Sequence, residues 1–126
     1  MQRILDANVV LRYVLGDHEK LSAQAQAIID NNIVEVPIEV LSEVVYVLMG
    51  VYGATRKDIS VELLRFFEKT SCILPHREAV LKGLELFAKH NLDFVDCVLA
   101  GYMFAEGANI DTFDGKLKKL LVRLSS

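Results

Sequence analysis

The stretch LDFVDCVLAGYMFAEGANIDTFDGKL, residues 92–117, decides how the rest of this chain reads. An apolar run from Cys97 to Ala105 lies between two aspartate pairs, Asp93/Asp96 and Asp111/Asp114, each spaced i, i+3. The run has the length of a helix and Gly107 can stop it, which predicts a helix over residues 94–106. NIDTF, with its β-branched and aromatic residues, then predicts a buried strand over 109–113, followed by a basic helix from Gly115. On that reading the aspartates stand where elements begin and end, which is where α/β folds place their chemistry.

Outward from this stretch the chain alternates in the same way. Arg3 to Leu5 is a short strand candidate that stops at Asp6, and Asn8 can cap a helix over Val9 to Leu15 that Gly16 closes. LSAQAQAII (21–29) is composed like a helix, and Asp30, Asn31 and Asn32 end it before the strand candidate IVEV at 33–36. Pro37 suits a first turn, so Ile38 to Met49 reads as helix, with Glu39, Glu43, Tyr46 and Gly50 on one narrow stripe among apolar residues. That placement puts Glu43 in the middle of a mostly buried element. Thr55 and Asp58 have capping-box spacing before a helix to about Lys69, Cys72 to Leu74 is a third strand candidate, and Val80 to Ala88 repeats at helical spacing. Strands alternating with helices predict right-handed crossovers and a three-layer α/β/α sandwich around a central parallel sheet of four to five strands.

At 126 residues, the chain is long enough for one domain with a single core, residues 1–126. A composition 52% apolar and 25% charged, with two prolines and seven glycines, excludes disorder and low complexity. The net charge of −3 argues against coating nucleic acid by bulk attraction, while leaving room for a local basic patch or a metal ion. Cys72 and Cys97 fit no CxxC pattern and read as reduced core residues. With neither a signal-peptide core nor a membrane-length apolar run, a soluble cytoplasmic protein is expected.

Each acid has an ordinary explanation. Asp6 can be a turn residue, Asp93 an N-cap with Asp96 as its partner, and Asp114 a cap of the last helix. Glu43 fits that explanation worst, because a carboxylate among apolar neighbours shifts its pKa or finds a cation, and no Lys or Arg lies within a turn of it. Taken jointly, Asp6, Glu43, Asp96 and Asp114 converging at one end of the sheet require a counter-charge. Their oxygen-only donor set favours one or two Mg²⁺ or Mn²⁺ ions over zinc, a pairing suited to phosphoryl chemistry. His18, His76 and His90 share no ligand spacing and sit at element boundaries, and no GxSxG elbow, Cys–His pairing or Gly-rich phosphate loop is present. Lys116, Lys118, Lys119 and Arg123 either steer phosphates or form a solvated face, while Tyr13, Tyr46, Tyr52, Tyr102 and the Phe-rich stretches read as core or subunit contacts.

Four pieces, ILDANVVLRYVLGD, VPIEVLSEVVYVL, LDFVDCVLAGYM and TFDGKL, resemble in order and separation the PIN-domain nucleases, and among them the small VapC-type toxins of toxin–antitoxin pairs. The resemblance implies a single PIN-like nuclease domain, a Mg²⁺- or Mn²⁺-dependent endoribonuclease leaving 5′-phosphate and 3′-hydroxyl ends. It places the metal-binding and catalytic acids at Asp6, Glu43, Asp96 and Asp114, with Asn8 and Thr112 in support and Asp93 as an auxiliary ligand or simply a cap, the cap being preferred. Asp111, facing away from Thr112 in a strand, lies outside the site. The implied partners are RNA, a cognate antitoxin whose basic tail enters the acidic groove, and a second copy in a homodimer. Ala7 replaces a hydroxyl residue common in the family's first motif, and a fifth strand often found in relatives is either compressed into Leu121 to Leu124 or missing. A catalytically silent PIN-fold binding module is the alternative. A receiver-type phosphoacceptor domain is a weaker one, because Asp6 stands alone after its strand and the third strand candidate ends in Leu74, Pro75 and His76.

Overall fold

Up to Ile73 short strand segments fall between helices as expected, with longer helices and shorter strands than the sequence suggests, and beyond it the regular elements of the described residues are helices alone. The computed structural model describes residues 2–126, in the order β1 (Arg3–Ile4), α1 (Ala7–Leu15), α2 (Glu19–Asn31), β2 (Val34–Glu35), α3 (Ile38–Gly50), α4 (Arg56–Lys69), α5 (Arg77–Lys89), α6 (Phe94–Glu106) and α7 (Gly115–Ser125). β1 and β2 pair in parallel, Arg3 opposite Val34 and Ile4 opposite Glu35. A parallel bridge between Glu35 and Ile73 carries the pairing one segment further, with Val36 N–H bonded to Ile73 O at 2.9 Å and Ile73 N–H to Val34 O at 2.8 Å. The sheet is therefore parallel, and the first three strand candidates all take part in it.

The fourth and fifth strands are not seen among the described residues. Residues 107–114 form no ladder. Gly107, in the left-handed region at φ 69°, ends α6 with its N–H on Met103 O, and Asp114 N–H turns back onto Thr112 Oγ1 at 3.0 Å. Such local side-chain-to-backbone bonds offer the chain an alternative to strand pairing. Without a strand there, the expected opposition of Asp111 and Thr112 lapses; Asp111 is exposed and Thr112 half-buried. Leu121 to Leu124 is helical, part of α7. The apolar positions Leu117 and Leu120 anchor that helix on the core.

Capping decides where most helices begin. Asp6 accepts Val9 N–H, His18 Nδ1 accepts Leu21 N–H and Thr55 Oγ1 accepts Asp58 N–H, each at 3.1 Å. The cap of α1 is thus Asp6, and Asn8 lies exposed in its first turn; a cap must precede the helical φ/ψ values, and Asn8 already has them. The three histidines do stand at helix ends, before α2, before α5 and after α5. One continuous core holds Val10, Leu41, Val44, Leu63, Phe66, Leu84, Phe87 and Cys97, with both cysteines buried and unpaired. α5 and α6 approach most closely where glycines remove side chains: a β-carbon on Gly83 would meet Val98 Cα at 2.9 Å, and one on Gly101 would overlap the Ala79 carbonyl.

Candidate active site

Four of the singled-out acids stand at or just inside the start of a helix. Asp6 and Asp114 are the N-caps of α1 and α7, and each uses one carboxylate oxygen, Oδ1, to accept a backbone N–H (Val9 and Lys116, both at 3.1 Å). That bond fixes the side chain and leaves Oδ2 without a protein partner among the described residues. Asp114 is held a second time, through its own N–H on Thr112 Oγ1. Asp93 occupies the N-cap position of α6 but makes no side-chain cap bond, so the preferred cap role is not what the structure shows; the carboxylate instead borders a cleft between α3 and α6.

Asp96, in the first turn of α6, is half-buried. Its pKa is raised, chiefly by burial and then by the negative charges of Asp114 and Asp93. These three acids from the starts of α6 and α7 therefore share one electrostatic neighbourhood. The ion pairs of the described residues, Arg12–Asp17, Arg65–Glu62, His76–Glu106 and Lys82–Glu85, all lie elsewhere. Neither Asp6 nor Glu43 contributes to the shift of Asp96, and no group of three or more Asp, Glu, His or Cys side chains among the described residues is close enough to form a ready metal cage.

Glu43 departs most from expectation. The stripe of Glu39, Glu43, Tyr46 and Gly50 forms as the helical wheel requires, yet it faces outward and Glu43 is exposed. Its carboxylate does not press against the core, because α3 buries Leu41, Val44, Val45 and Leu48 on its other side. Tyr46, expected in the core or a contact, is 82% exposed at the rim of a cavity of about 350 Å³ that also touches Met49, Phe94, Val95, Asp93 and Arg56.

Arg56 is the positioning residue that the sequence did not reveal. Its Nη1 donates to the carbonyls of Phe87 (3.2 Å), His90 (2.7 Å) and Leu92 (2.7 Å), while the guanidinium lies 4.3 Å from the Phe87 ring centroid. It thereby pins the turn from α5 into α6, on which Asp93 and Asp96 depend. A cation in the first turn of a helix opposes the helix dipole, and that local mismatch was the available signal of a distant partner.

A family model described as PIN domain matches residues 3–121. The chain belongs to the PIN domain family. No curated protein and no solved structure gives a significant match. PIN domains are α/β proteins and generally nucleases, which sets the receiver-type alternative aside. PIN nucleases typically use divalent metals. The donor chemistry here fits such an ion: hard carboxylate oxygens, several of them unengaged, and a raised Asp96 pKa that a neighbouring cation would relieve. No helix among the described residues of this PIN domain is long and apolar enough to cross a membrane.

Proposed function

We propose that this PIN domain is a Mg²⁺- or Mn²⁺-dependent endoribonuclease and the toxin of a toxin–antitoxin pair. The observation that carries the catalytic part is Asp96, half-buried beside Asp114 and Asp93 with no cationic side chain paired to any of them. Asp96 and Asp114, with Asp93 in support, would hold a divalent ion from the starts of α6 and α7, and Asp6 and Glu43 complete the set that the four-motif resemblance implies. A bound divalent ion supplies charge neutralisation and Lewis-acid polarisation at the phosphoryl group. The chain's own work is positioning. The Val9 and Lys116 amides hold the Asp6 and Asp114 carboxylates in fixed rotamers, the Thr112 hydroxyl accepts the Asp114 backbone N–H, and Arg56 holds the turn that presents Asp96.

The decisive experiment is cleavage of single-stranded RNA by the purified chain, by Asp96→Asn and by Asp6→Asn, with and without chelator. Asp96→Asn is expected to lose about 100-fold or more, since even groups that merely orient metal ligands are worth 10- to 100-fold. Undiminished cleavage by the variant, or full activity in excess chelator, refutes the mechanism, and absence of cleavage by the parent chain with metal present favours the silent binding module. The resemblance also implies a homodimer and a small antitoxin with a basic tail. The apolar rim of Tyr46, Met49 and Val95 around Asp93 supports a protein contact there, and light scattering of the purified chain tests the dimer.

A further inference from the structure

The lysines of α7 are not equivalent. Lys116, Lys119 and Arg123 fall at i, i+3 and i+7, one face of the helix, and line a cleft of about 200 Å³ whose opposite wall is the His90 and Asn91 turn. Lys118 is not part of it. No acidic side chain borders the cleft, and none of its three cations joins an ion pair among the described residues. In a chain of net charge −3 this is a concentration of positive charge against the average, not a sample of it. The field is felt across the cleft: His90 has its pKa lowered, first by burial and then by Arg123 and Lys89.

The cleft also adjoins the acids. Lys116 follows Asp114 by two residues, and its N–H is bonded to Asp114 Oδ1 at 3.1 Å. Leu92, which also lines the cleft, precedes Asp93. We infer that the Lys116–Lys119–Arg123 cleft is a binding site for a backbone phosphate of single-stranded RNA, a neighbour of the phosphate that a divalent ion on Asp96 and Asp114 would take. The inference rests on the nuclease reading and deepens it by fixing the path of the substrate: the strand crosses from the starts of α6 and α7 along α7, with its next charges against the cations.

The test compares Lys119→Gln/Arg123→Gln with Lys20→Gln/Lys57→Gln, a pair that removes the same charge elsewhere; all four side chains are exposed and both double variants are expected to fold, checked by circular dichroism. Binding of a labelled single-stranded RNA is read by anisotropy across a salt series, with Asp96→Asn in every chain to keep the RNA uncut. The cleft pair is expected to weaken binding about tenfold at low salt and to flatten the slope of log K against log salt by about 0.7 for each phosphate left without its cation. Equal weakening by both pairs, or by neither, overturns the inference. In the active chain, one uncharged methylphosphonate is placed in turn at each linkage near the cut. At one position it is expected to raise KM several-fold while kcat stays within about twofold, and to have no effect in the cleft pair. A penalty that persists in the cleft pair overturns the site. Absence of RNA cleavage by the parent chain with metal present instead refutes the nuclease reading, and the anisotropy series still decides the cleft.

Discussion

Replacing Arg56 by alanine is the sharpest test of how the fold positions the site. The guanidinium donates to three carbonyls, Phe87, His90 and Leu92, and lies over the Phe87 ring. Hydrogen bonds from a charged donor contribute about 1.5–3 kcal/mol each, and an exposed cation–π contact about 0.5–1 kcal/mol. The three bonds share one nitrogen and the side chain is only half-buried, so water replaces part of what is removed. A net loss of about 2–4 kcal/mol follows from those magnitudes for Arg56→Ala. For a domain of this size that corresponds to a Tm lower by roughly 8–16 °C. Arg56→Lys keeps the charge but lacks the planar fork, and is expected to recover no more than about half. Urea unfolding followed by far-UV circular dichroism gives both values, and amide exchange across residues 90–97 reports whether the turn loosens locally before the whole chain does. An Arg56→Ala chain within about 0.5 kcal/mol of the parent, or complete rescue by lysine, refutes the argument that this residue pins the turn.

Three further outcomes follow from the same geometry. Gly101→Ala forces a β-carbon into the Ala79 carbonyl and is expected to destabilise by about 1–3 kcal/mol despite alanine's better helix propensity, whereas Gly50→Ala, with open space around it, is expected to stabilise by about 0.5–1 kcal/mol; opposite signs in paired thermal melts check the α5–α6 contact. Asp96 has a raised folded pKa, so the folded chain binds that proton more tightly than the unfolded chain does, and stability falls as pH rises through the raised value; Asp96→Asn removes this step and is expected to be more stable than the parent near pH 7 in chelator, with the gain vanishing below the ordinary carboxylate range near pH 4 and with added Mg²⁺ raising the Tm of the parent alone. Burial pushes the Cys97 thiol up to about 12 and raises Cys72 as well, so neither is expected to react with a thiol reagent at pH 8 until denaturant is added, as counted by absorbance.

Helix positions were legible because they are written locally. Apolar spacing, the Thr55–Asp58 box and the Gly107 stop need no distant information, and the outward stripe of α3 formed as its spacing required. Strand extent was not legible in that way. NIDTF has strand composition, but a strand exists only through a partner, and the Asp114–Thr112 bond gives that segment a local alternative. Glu43 shows a related limit: counting apolar neighbours in sequence measured the composition of α3, while the side of the helix on which Glu43 emerges settled its exposure. Arg56 was missed because its three acceptors lie 31 to 36 residues away.

The sequence posed a turn role against chemistry for Asp6 and capping against chemistry for Asp114, and the cap that each makes leaves Oδ2 without a protein partner among the described residues. A cap engages one carboxylate oxygen with a backbone amide, and both residues do this through Oδ1 alone. The hydrogen bond from the backbone amide fixes the rotamer, and the second oxygen keeps its lone pairs for a cation. Asp93 and Asp96 divide the same work differently. Asp93 stands at the cap position without capping, while Asp96 is half-buried and opposed by its neighbours. The pKa of Asp96 is raised first by burial and then by Asp114 and Asp93, a burden that an acid placed only to start a helix does not need, and it follows from where α6 and α7 begin relative to one another, which no single motif in the chain specifies.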